Sequence, residues 1–159
     1  MILYHGSNVQ IVVPDLSKGR NPLDFGRGFY LTSSQEQATN WAKRKTERLQ
    51  EGIACLNIYE FNQALIGDLS VKIFEQADES WLDFIVQNRN ETYLGESYDI
   101  VIGPVADDGV LRLIRLYMEE FYDKDETIRR FKTERLDDQY VFCTQKALNC
   151  LTFKGAIIL

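Results

Sequence analysis

The chain contains a single histidine, His5, in the stretch ILYHGSN at residues 2–8. It ends an apolar run and is followed by Gly6 and Ser7, where a short strand gives way to a turn. A neutral imidazole both donates and accepts a hydrogen bond, and a residue without Cβ lets a flat ligand approach the main chain closely. Two other short apolar stretches carry isolated polar groups: Tyr30 in GRGFYLT and Gln139 in QYVFCT. A tyrosine face offers stacking and cation–π attraction of roughly 1 kcal/mol to a flat cation. An amide offers a donor and an acceptor without charge. Taken one at a time, these residues read as structural: a histidine near a strand end and a Phe-Tyr pair in a strand usually pack the core.

Several other chemistries are excluded. One histidine and three cysteines (Cys55, Cys143, Cys150) without CxxC spacing cannot assemble a usual zinc site. The odd cysteine number fits reduced thiols better than a disulfide framework. FGRGFYL holds a GxG, but Leu31 stands where a dinucleotide fingerprint needs its third glycine, and the stretch runs into a strand, not a helix. No phosphate loop of the GxxxxGK[ST] kind is present, and no local signature supports a Cys-His nucleophile pair. A net charge of -6 and a sequence pI near 4.9 argue against a general nucleic-acid or membrane-surface binder. Lys43, Arg44, Lys45 and Arg48 form a local basic cluster within that acidic chain. No apolar run approaches the roughly 20 residues that cross a bilayer. MILYHGSN lacks the basic start of a signal peptide, so a cytoplasmic protein without a membrane partner is expected.

At 159 residues, 45% of them hydrophobic, the chain fits one domain (1–159) with its own core. Strands are predicted over residues 2–7, 28–32, 53–61, 71–74, 98–103, 139–144 and 155–159, with a further short one at 11–13. A helix is predicted from Ser33 or Ser34 to about Glu51. Glu36 and Gln37 complete a capping box in either register, and Gly52 provides a stop. Asp78 should cap a helix presenting Trp81, Phe84 and Ile85. Val110, Ile114, Tyr117 and Phe121 recur at helical spacing, with Asp107 and Asp108 as caps. A charged helix is expected from about Lys124 to Arg135, and a helical turn or two in QKALNCL. Strands and helices alternate too irregularly for a doubly wound sheet, so α+β is the expected class.

The order His5-Gly6-Ser7, then Tyr30 after a glycine-rich turn, then Gln139 opening a strand resembles the three motifs of the ADP-ribosyltransferase superfamily, in its diphtheria-toxin and poly(ADP-ribose)-polymerase branch. The stretches LYHGS, DLSKGR, LDFGRGFYLT, YDIVIGPVADD and DQYVFCTQKAL are also similar to a bacterial family of unknown function grouped in that superfamily. The resemblance implies a split mixed and antiparallel sheet core with peripheral helices. It also implies an NAD-dependent mono-ADP-ribosyltransferase, of the kind found among bacterial and phage toxins and effectors. NAD would be the substrate, with no metal. A macromolecule would be the acceptor, protein in preference to nucleic acid given the acidic charge, and an antitoxin a further partner.

The resemblance also distributes roles. His5 would hold the adenosine-side ribose, Gly6 the carboxamide through its main chain, and Ser7 a further hydrogen bond. Tyr30 would stack on the nicotinamide, its ring face mattering more than its hydroxyl. Apart from the resemblance, Asp24 and Arg27, which with Gly28 form the turn before Tyr30, are candidates for contact with diphosphate or ribose and Arg20 for contact with a phosphate, solvated loop charges being the alternative reading of each. His5, Tyr30 and Gln139 would form the catalytic set, converging on one cleft. The family's best-known enzymes have Glu where this chain has Gln139, which supplies hydrogen bonds but no negative charge beside the oxocarbenium-like sugar. Asp138 should face away and Asp137 could stand in. A catalytically inactive module binding NAD or ADP-ribose, or a partner-binding protein on the same fold, is the alternative.

Overall fold

The computed structural model describes residues 1–18, 23–132 and 136–159. Arg20 and Arg135 lie outside the described residues.

Strand β1 (Ile2–Ser7) leads into a loop with a 3-10 turn at Leu16–Lys18. The strand expected at 11–13 does not form. Ile11 bonds buried side chains and not a ladder: its amide donates to Asn57 Oδ1 at 2.7 Å, and its carbonyl accepts the Tyr59 hydroxyl. After β2 (Phe29–Leu31) comes helix α1 (Gln35–Leu49). Ser34 caps α1, its Oγ accepting from the Gln37 amide at 3.2 Å. The reciprocal arm of the capping box is missing. The Ser34 amide donates to Thr32 Oγ1 at 3.0 Å instead. The helix stops before Gly52, because Gln50 takes a left-handed conformation and its amide bonds the Thr46 carbonyl.

Strands β3 (Cys55–Phe61) and β4 (Val71–Ile73) follow, then α2 (Glu79–Arg89), capped by Asp78 as expected. Strand β5 (Ile100–Pro104) precedes α3 (Asp108–Met118), whose cap is Asp107. Here the helical spacing misleads at its end. Glu120 adopts a positive φ, the chain turns, and Phe121 is left exposed. Helix α4 (Lys124–Phe131), β6 (Asp138–Phe142), the short α5 (Gln145–Leu148) and β7 (Leu151–Ile158) complete the chain.

Two sheets result, of order β1-β3-β7 and β2-β6-β5-β4. The first is antiparallel; in the second only the β4–β5 pairing is parallel. The class is therefore α+β with split antiparallel and mixed sheets. Period-two alternation sorts the side chains into layers. Leu3, Tyr59 and Phe61 of the first sheet meet Phe29, Leu31, Ile100 and Phe142 of the second. The opposite face of the second sheet, with Val101 and Val141, buries Trp81, Leu82 and Ile85 of α2, Val110 and Ile114 of α3 and Phe131 of α4. On the outer face of the first sheet α1 crosses β1 at Gly6. A Cβ there would lie 2.0 Å from the Ala38 carbonyl oxygen and 2.8 Å from the Ala42 amide nitrogen.

Candidate functional site

Among the described residues one antiparallel main-chain bridge, Tyr4 with Thr32, joins the edges of the two sheets, and the edge pairing ends there. This leaves main-chain groups facing outward. The β1–β3 ladder exchanges hydrogen bonds at Met1 and Phe61, at 2.8 and 3.2 Å. By the alternation of an antiparallel pair it does so again at Leu3, His5 and Ser7. Tyr4 and Gly6 therefore turn their amide and carbonyl to the other edge. Tyr4 uses both on Thr32, at 2.8 and 3.0 Å. Gly6 comes next along that edge, where the strands have parted.

His5 bridges the gap. Its Nδ1 lies 2.7 Å from the Tyr30 carbonyl oxygen, and its ring stacks on Phe29 at 4.4 Å between centroids. A carbonyl only accepts, so Nδ1 carries the proton and the neutral ring presents Nε2 as an acceptor. Among the described residues Nε2 has no partner, and the one buried side-chain acceptor left without a bond is Gln37 Oε1. Burial, helped by the charge of Lys45, lowers the His5 pKa to about 4 against the Tyr30 hydrogen bond. The imidazole is thus a neutral hydrogen-bonding group at physiological pH. Its NMR resonances are expected to titrate with a midpoint near pH 4, well below 6.5. Between those values the unfolded chain binds the proton that the folded chain refuses. Stability is therefore fully present above pH 6.5 and declines as pH falls toward 4. A midpoint near 6.5 in the folded protein would contradict the desolvated placement of this half-buried ring.

Tyr30 and Gln139 share one face of the second sheet. Tyr30 pairs with Val141, and Gln139 lies two residues from Val141 along β6. Their face is that of α2 to α4, whereas His5 stacks on Phe29, whose side chain lies on the other face. His5 therefore meets Tyr30 at its main chain and not ring to ring, while Gln139 bonds Pro104 on the sheet face opposite to His5. The Tyr30 hydroxyl donates to the Gly26 carbonyl at 2.6 Å and accepts from the Phe25 amide at 3.1 Å. Burial raises its pKa. Tyr30→Phe is expected to lose about 1–3 kcal/mol of stability in chemical denaturation, because it unpairs two main-chain groups. A variant as stable as wild type would show that the hydroxyl does not hold this turn. Gln139 is 4% exposed, with Nε2 donating to the Pro104 carbonyl at 3.2 Å; the Trp81 indole donates to the same oxygen at 3.0 Å.

The remaining residues named from sequence divide. Gly6 is buried; its main chain turns to the edge beyond the Tyr4–Thr32 bridge, and its missing Cβ makes room for α1 and not for a ligand ring. Ser7 is fully buried, and its Oγ accepts from Lys45 Nζ at 3.2 Å. Gly28 lies against β6: a Cβ there would meet Val141 Cγ1 at 2.5 Å and the Phe142 carbonyl oxygen at 2.9 Å. Asp24, 8% exposed, is ion-paired with Arg89 of α2, Nε to Oδ1 at 2.6 Å. Its burial raises its carboxyl pKa against the pull of Arg89. Arg27 is exposed and lines a shallow cleft of about 270 Å³ with Gly26, Asn88, Glu91 and Tyr93, which holds none of His5, Tyr30 or Gln139. Asp138 faces away from Gln139, as expected, and its carboxylate accepts from the Ser33 amide at 2.7 Å and from the hydroxyls of Thr32 and Ser33. Asp137 is exposed and lies just outside β6.

Sequence reasoning missed three contributors. Lys45 stood out as one of a basic cluster, but nothing in the spacing announced its reach to Ser7. Asn57 is fully buried, and its Nδ2 donates to the carbonyls of His5 and Val9 at 3.3 and 3.2 Å, tethering the segment after His5. An asparagine alternating into the inner face of an apolar strand was the available signal. Arg89 completes the Asp24 pair from 65 residues away. The thiols of Cys55, Cys143 and Cys150 are free, with pKa values raised by burial, Cys143 to about 11. None is a ready nucleophile. Among the described residues no helix is long and apolar enough to cross a membrane.

Comparison with curated proteins and with solved structures returned no match. A family model described as a protein of unknown function, DUF3990, matches residues 1–153. That match takes in every element from β1 to the first three residues of β7, and the chain belongs to this family.

Proposed function

We propose that the protein binds NAD at the open edge between β1 and β2 and acts in the cytoplasm as a mono-ADP-ribosyltransferase. The observation that carries this reading is the bond from His5 Nδ1 to the Tyr30 carbonyl, beside the Gly6 main chain, which has no hydrogen-bond partner across that edge among the described residues. It fixes a neutral imidazole with Nε2 as acceptor, which suits a ribose hydroxyl. The Gly6 amide and carbonyl offer a donor and an acceptor side by side, which match a carboxamide. In the reaction the bond from the ribose C1′ to the nicotinamide nitrogen breaks. Nicotinamide leaves neutral with the bonding electrons, and a nucleophile on a macromolecular acceptor attacks C1′ and gives up its proton. Gln139 would bond the reacting ribose as positive charge grows there. An antitoxin would be a natural partner if the acceptor belongs to the producing cell. The test is nicotinamide release from NAD by the purified protein, with a mass search for ADP-ribose adducts on protein and nucleic acid after brief expression. Release at background together with no adducts would refute the enzyme.

A second reading, a module that binds NAD or ADP-ribose without turnover, is favoured by one observation. The Gln139 amide is neutral and already bonded to Pro104, while Asp138 is turned away. NAD binding without nicotinamide release would identify it.

A further inference from the structure

Helix α1 does more than cover the first sheet. Ala38 and Ala42 are its buried residues against Gly6, and Lys45 follows Ala42 by three residues, on the same side of the helix. From there it reaches the end of β1, where its Nζ donates to Ser7 Oγ at 3.2 Å. Ser7 is buried two residues beyond His5, so the hydroxyl anchors the ammonium within one short stretch of the histidine. The charge registers at His5, where it helps keep the ring neutral. Arg48, three residues further along α1, places its guanidinium 5.8 Å from the Trp41 ring centroid. In a chain of net charge -6, Lys45 thus brings an ammonium to the stretch that carries the only histidine.

We propose that Lys45 is the ligand of the diphosphate, holding the anionic bridge of NAD or ADP-ribose beside His5. This rests on the NAD reading above. With His5 on the adenosine-side ribose and Gly6 on the nicotinamide, the diphosphate joining the two riboses must pass close to both. An ammonium anchored at Ser7 meets it there as a point charge. Ser7 then acts as a positioning residue, which accounts for a buried hydroxyl next to the Gly6 edge.

Calorimetry with ADP-ribose and with adenosine, which lacks the diphosphate, tests the proposal on wild type, Lys45→Gln, Lys45→Arg and the exposed control Lys43→Gln. Lys45→Gln is expected to weaken ADP-ribose binding by about tenfold to a hundredfold, as for a lost charge-assisted hydrogen bond, and to leave adenosine binding unchanged. Lys45→Arg should recover most of the affinity and Lys43→Gln should match wild type. In wild type, ADP-ribose affinity should fall with added salt while adenosine affinity does not. Undiminished ADP-ribose binding by Lys45→Gln, or an equal loss for adenosine, overturns the proposal and leaves the NAD reading intact. If Lys45→Gln does not fold, the salt series decides, and a salt-independent wild type overturns it. A wild type that binds neither ligand overturns both.

Discussion

Gly6→Ala is expected to cost about 3 kcal/mol or more in urea unfolding, at the upper end of the penalty for overpacking. The added methyl would meet the Ala38 carbonyl oxygen at 2.0 Å and the Ala42 amide at 2.8 Å. Both are main-chain atoms of α1, so no rotamer change relieves the overlap and the helix itself must move. That movement would carry Lys45 away from Ser7 and disturb the edge at which Gly6 presents its amide and carbonyl. The variant should therefore lose ligand binding together with stability. A Gly6→Ala protein within about 0.5 kcal/mol of wild type would mean that α1 does not cross β1 where described, since that is the range of changes away from any special feature.

The second large effect concerns Gln139 and turnover. Gln139→Ala should lower nicotinamide release at least tenfold, on the order of what is lost with a transition-state hydrogen bond, and leave NAD affinity nearly unchanged. In a transferase the bond from Gln139 to the reacting ribose would strengthen only as C1′ becomes positive. Gln139→Glu is more informative because of where the side chain lies. It is almost fully buried and faces the Pro104 carbonyl oxygen. A carboxylate there has its pKa raised by burial and by the acceptor opposite, so at neutral pH it carries a proton and donates to Pro104. Negative charge appears only as pH rises. Nicotinamide release by Gln139→Glu should therefore climb with pH over a range in which wild type is flat. Kinetic profiles of the two proteins check this, and parallel profiles would place Gln139 away from the reacting sugar.

The pattern of strands and helices was legible because each element carried a local signal. Ser34, Asp78 and Asp107 cap helices with their own side chains. The failures came where a distant partner decides. Ile11 looks like strand until the Asn57 and Tyr59 side chains take its amide and carbonyl. Phe121 continues a helical stripe, but its amide bonds the Leu116 carbonyl after Glu120 has turned the chain. The site divides the same way. His5, Tyr30 and Gln139 stand out as isolated polar groups in apolar strands, and the facing of Asp138 follows from period two. The partners of Asp24 and Ser7 depend on Arg89 and Lys45, brought in by helices whose crossing no local pattern specifies. Gly6 drew attention as a place where a ligand ring could approach the main chain. What approaches is α1.

Binding of NAD at the parted edge of β1 and β2 would depend on the His5 imidazole as an acceptor held there. With one histidine in the chain, nitrogen-detected NMR of His5 during NAD addition tests this directly. The Nε2 resonance should shift as it accepts a ribose hydroxyl, while Nδ1 keeps its proton on the Tyr30 carbonyl. An imidazole spectrum unchanged at saturating NAD would contradict the account.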